Sequence, residues 1–120
     1  MIIMNIKEIE IYLRTILSEE EFNRQIKIAK RAKAIAPLKD FGINNIEEAY
    51  LTGLLSNSNK FIANLPFDLP LEVCQAIGIL NYERDLILHN ILNVIETDNL
   101  YAYIVRVAER DVDRNEMDKR

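Results

Sequence analysis

The sequence predicts an all-α protein, a compact bundle of five or six helices. Three observations point that way. Gly and Pro number only three each in 120 residues, so long unbroken elements are expected, and such elements are usually helices. Apolar residues recur at three- and four-residue steps along much of the chain. Side chains that start helices stand where these periodic segments begin; Ser18 and Glu21 have the spacing of a capping box.

The opening segment, Ile6 to Leu17, puts Ile6, Ile9, Leu13 and Ile16 on one helical face, and Leu17 widens it. Ile9 to Leu13 also alternates as a strand would, but no second segment offers a convincing strand partner, which favours the helix. A second helix is expected from Glu19 to Ala36. Phe22, Ile26, Ala29, Ala32 and Ala36 form its apolar side, widened by Ile28 and Ile35, while Arg24, Lys27, Lys30 and Arg31 stand opposite. Pro37 ends it, because proline disfavours the α conformation in the residue before it.

Gly42 and Asn44-Asn45 then read as a turn, with Asn45 capping a third helix that runs to about Asn64 and Glu48 completing the box. The stretch Leu65 to Pro70 is an extended connector, since its two prolines do not fit inside one regular helix. Pro70 suits the first turn of a fourth helix ending near Leu80. A fifth helix, Tyr82 to Glu96, carries apolar residues over more than half its circumference and is expected to be deeply buried. Thr97-Asp98-Asn99 break and cap, and a sixth helix runs from Leu100 to about Arg110. The resulting organisation is one domain over 1–110 and a charged, frayed tail over 111–120.

Composition narrows the function classes. Apolar residues make up 49% of the chain, enough for a core, and the formal charge of −4 gives no overall electrostatic case for nucleic acid. Cys74 is the single cysteine, so no internal disulfide forms and a reducing cytoplasm is the simple expectation. The opening MIIM is too short for a signal-peptide core, and no run approaches the ~18 apolar residues of a membrane span. A soluble protein without a membrane partner is expected.

The string Glu47 to Lys60, EEAYLTGLLSNSNK, resembles the signature helix of the HDOD family, whose pattern is approximately A-[FY]-L-x-G-L-L-x-[DN]-x-x-K. Ala49, Tyr50, Leu51, Gly53, Leu54, Leu55, Asn57 and Lys60 match it. RAKAIAPL from Arg31, LPLEVCQAI from Leu69 and NYERD from Asn81 are similar to the flanking segments, and the resemblance extends over roughly Ile6 to Tyr103. An entire HDOD domain is longer than this chain, so the likeness is to its C-terminal half, as in proteins that carry an EAL domain in front. The resemblance implies an all-helical regulatory module, related to HD metal-dependent phosphohydrolases but without their metal ligands. Where a catalytic relative would carry His-Asp, this sequence has Ser56-Asn57.

Candidate chemistry is sparse. Phosphoester hydrolysis on a metal needs several His and Asp ligands, and His89 is the single histidine. Its apolar neighbours favour a packed side chain over a general base or pH sensor. Cys74 lies near a helix start, where a thiol can be activated, yet no histidine is close in sequence and a buried structural cysteine is the better reading. Glu19-Glu20-Glu21 and Glu47-Glu48 sit at helix N-termini, where negative charge favours the macrodipole. No catalytic residue, metal site or cofactor is implied.

Two candidate interaction surfaces remain. Arg24, Lys27, Lys30, Arg31, Lys33 and Lys39 form a basic stripe with no acid between them. It reads either as a phosphate-facing surface or as a solvated helix face, and the lack of stacking aromatics favours the second. Phe61 and Phe67, with Tyr82, Tyr101 and Tyr103, form either a sticky patch or part of the core. A half-domain would leave apolar surface uncovered, and such patches usually bind something. The expected function is therefore a non-enzymatic signalling or regulatory module that binds a protein partner or itself as a homodimer. A small nucleic-acid-binding or accessory protein using the basic stripe is the alternative.

Overall fold

Ser18 begins the best-defined helix. Its hydroxyl accepts the Glu21 amide proton at 3.1 Å, and its own amide donates to the Glu21 carboxylate at 3.2 Å, closing the expected capping box. The computed structural model describes residues 6–39, 43–56, 69–88 and 99–118. Within them lie α1 (Ile6–Ile16), α2 (Glu19–Ile35), a 3-10 turn (Ala36–Lys39), α3 (Ile43–Leu54), α4 (Leu71–Leu88) and α5 (Leu100–Asp118). No strand occurs among the described residues, and the architecture is the all-α bundle that the sequence predicts.

α2 is the central element and packs most extensively on α3 and α5, while α4 lies against α3 and α5 and α1 touches α2 more lightly. The core combines Ile9 and Leu13 of α1, Ile28, Ala29 and Ala32 of α2, Leu51 and Leu54 of α3, Val73 and Ile77 of α4, and Ile104 and Val105 of α5. All of these are essentially excluded from solvent. Ile16, expected on the buried face of α1, is instead 43% exposed.

The 3-10 turn holds Pro37, so the chain tightens where proline ends the α-helix. Asn99 caps α5 as expected: its side-chain oxygen accepts from the Tyr101 and Ala102 amides at 3.0 and 3.2 Å. Pro70 immediately precedes α4, and its carbonyl accepts the Cys74 amide proton at 3.1 Å.

Element boundaries depart from expectation in four places. α3 begins at Ile43, so Asn45 falls inside its first turn. It ends at Leu54 rather than near Asn64, because Ser56 folds its hydroxyl back onto the Gly53 carbonyl at 3.0 Å. No break separates Leu80 from Tyr82: α4 runs through Asn81, whose buried side chain donates to the Ile77 carbonyl one turn earlier at 3.0 Å. The rest of the expected fifth helix, with His89, lies outside the described residues.

The fourth departure is α5, which continues to Asp118, well past Arg110. Val112 is 6% exposed, and Asp111 and Asp113 pair with arginines of α2. Those contacts give the charged segment a helical seat that its composition does not announce.

Candidate interaction surfaces

The α2–α3 crossing sets the frame. A Cβ on Gly53 would come within 2.9 Å of the Ala29 α carbon and 3.1 Å of the Ala29 nitrogen, so the two backbones touch with nothing between them. Directly beside this contact, Gln25 is 3% exposed. Its amide nitrogen lies 3.2 Å from the Gly53 carbonyl, 3.3 Å from the Leu54 carbonyl and 3.1 Å from the Ser56 hydroxyl. Gln25 thereby donates to carbonyls in the last turn of α3, where regular helical bonding ends. Sequence reasoning missed Gln25, although it had a signal: Phe22, Gln25, Ala29, Ala32 and Ala36 keep an unbroken three-four spacing.

Two tyrosines join the helices at their edges. Tyr50 donates its hydroxyl to Glu10 at 2.8 Å, linking α3 to α1, and Tyr101 donates to Glu48, linking α5 to α3. Burial, then the bond to the carboxylate, pushes both phenols well above the usual tyrosine range. Both act as protonated donors at neutral pH.

The basic stripe is partly consumed by the fold. Arg24 pairs with Asp113 at 3.1 Å, Arg31 with Asp111 at 2.8 Å, and Lys33 with Glu47 at 3.2 Å. Lys27 and Lys30 stand exposed on the same helix. Acids distant in sequence therefore fold onto the face where the local sequence has none. The side chain of Lys39 and the whole of Phe61 and Phe67 lie outside the described residues.

Cys74 is exposed, which corrects the expectation of a buried structural thiol. The cause is register: Val73, Ala76, Ile77 and Leu80 are the buried positions of α4, and position 74 points the other way. The outward face of α4 carries Leu71, Glu72, Cys74, Gln75, Gly78 and Tyr82. The tyrosine question divides: Tyr101 is 3% exposed and belongs to the core, whereas Tyr82 and Tyr103 are 59% and 44% exposed.

On α5, Leu100 is also largely open to solvent, as is Leu71 on α4. The two helix starts are tied by Asn99, which donates its side-chain amide to the Glu72 carbonyl at 2.9 Å. Leu71 and Leu100 thus stand exposed at two joined helix starts. By contrast, the open depression at the α1–α2 corner, lined by Arg14, Leu17, Glu19, Phe22 and Asn23, encloses about 210 Å³. That is below the size of most small-molecule sites.

Among the described residues, no group of three His, Cys, Asp or Glu side chains is placed to hold a metal ion. No described helix is long and apolar enough to cross a membrane. No protein-family model, curated protein or solved structure matches the chain.

Proposed function

We propose that the chain is a non-enzymatic signalling or regulatory module of HDOD type, acting in the cytoplasm by docking protein through the outward face of α4 and the start of α5. The observation that carries this reading is the exposure of Leu71, Tyr82, Leu100 and Tyr103 on two adjoining helices. Large apolar side chains left open on adjoining helices favour association, since each excludes water only when something covers it. The HDOD likeness draws support from the burial of Ala49, Leu51, Gly53, Leu54 and Leu55. In particular, the glycine of the signature stands where a side chain would strike α2.

A phosphodiester substrate offered with manganese tests the non-enzymatic half of the reading. No turnover above buffer is expected; a rate that scales with protein and disappears with chelator overturns it.

The alternative, nucleic-acid binding, rests on the exposed Lys27 and Lys30. Pairing of Arg24 and Arg31 with Asp113 and Asp111 leaves that face less positive than its sequence suggests, which favours the protein-docking reading. A low-salt mobility shift with RNA or DNA, abolished by Lys27→Glu with Lys30→Glu, would reverse the preference.

A further inference from the structure

We propose that the partner of the α4 face is a second copy of this chain, related by a twofold axis that crosses α4 at Gly78. The inference rests on the docking reading above and names its occupant. Gly78 is the starting point: it lies inside an 18-residue helix, yet a Cβ there would meet nothing within 4 Å. A glycine in a helix interior destabilises by about 0.5–1 kcal/mol relative to alanine. Among the described residues, no close contact accounts for it. Gly53 differs, because α2 occupies the space its side chain would need. A backbone approaching α4 from outside would give Gly78 the same reason.

Within four residues of Gly78 the stripe is self-complementary. Across a twofold axis, a residue a given number of positions before the centre meets the partner's residue the same number after it. Four before Gly78 is the small Cys74; four after it is the large Tyr82. An antiparallel pair therefore sets each ring against the partner's thiol position, large against small, with the two glycines between.

Charge supports the same occupant. The chain carries a net −4, so two copies repel over most of their surface. From Val73 to Tyr82 there is no charged residue, nor from Asn99 to Val105. Two acidic molecules can meet over that window without opposing carboxylates, with the exposed Glu72 at its edge. A stable interface buries about 1,200–2,000 Å² in total, more than one short helix stripe supplies, so Leu100 and Tyr103 would complete the patch from α5.

Sedimentation of the full chain over a rising concentration series tests this. The expected mass moves from the 14.0 kDa of one chain towards twice that value. Tyr82→Asp with Leu71→Asp should weaken the association about tenfold or more, with an unchanged helical spectrum. Cross-linking locates the axis: Gly78→Cys in a Cys74→Ser background should form an interchain disulfide far faster than Lys30→Cys in the same background. A single-chain mass at every concentration, or equal cross-linking at positions 78 and 30, overturns the proposal. Hydrolysis of the phosphodiester probe would instead overturn the non-enzymatic reading, so the two failures are distinguishable.

Discussion

Gly53 and Ala29 bring α3 and α2 into backbone contact: a Cβ built on the glycine would sit 2.9 Å from the alanine α carbon. This crossing fixes how closely the two most intimately packed helices approach. Gly53→Ala should destabilise the protein by about 1–3 kcal/mol, because relief requires a backbone shift in α2. Gly78→Ala should stabilise the single chain by about 0.5–1 kcal/mol, the ordinary gain for an unhindered helical site. Urea unfolding of both variants at low protein concentration checks the opposite signs.

Gln25 holds the end of α3. Replacing it with leucine keeps much of the volume but leaves the Gly53 and Leu54 carbonyls without this donor. A loss of about 1–3 kcal/mol is expected, chiefly at the Leu54 carbonyl, since the Gly53 carbonyl still accepts from Ser56. Amide exchange should rise at the α2–α3 junction, and thermal unfolding reads the total.

The segment after Arg110 should behave as structure. Truncation there removes buried Val112 and the partners of Arg24 and Arg31. Burial of a valine contributes about 1.5–3 kcal/mol, and exposed ion pairs add about 0–1 kcal/mol each. A drop of about 2 kcal/mol in unfolding free energy is expected; an unchanged midpoint would mean that the segment makes no net contribution to the fold.

Alkaline pH should unfold the protein through Tyr50 and Tyr101. Both phenols titrate higher in the folded state than in the unfolded chain. Their contribution is thus fully present below the unfolded pKa, near 10, and is lost as pH rises from there through the folded value. Each tyrosine should steepen the fall in stability by up to about one bound proton. Tyr50→Phe and Tyr101→Phe should each flatten it, as denaturant titrations between neutral pH and pH 11 would show.

Helix type and α2's start were readable because they depend on local signals: apolar spacing, the Ser18–Glu21 box, and the Asn99 cap. What the sequence concealed depends on distant partners. Asn81 reads as a break, yet its side chain bonds within α4 where neighbouring helices bury it. Asp111 and Asp113 read as tail, yet they meet arginines 80 and 89 positions away. Cys74 was misassigned because α4 is apolar on both faces, leaving periodicity no way to choose the buried one. The candidate surface was legible only through Tyr82 and Tyr103; Leu71 and Leu100 became visible with burial.

Thiol reactivity of Cys74 measures most directly whether the α4 face is open and takes a partner. In the intact native chain, the account expects fast modification at low protein concentration, close to that of the unfolded protein. The rate should fall several-fold as concentration rises and the face becomes covered. Slow modification at every concentration, or a fast rate that never changes, would contradict it.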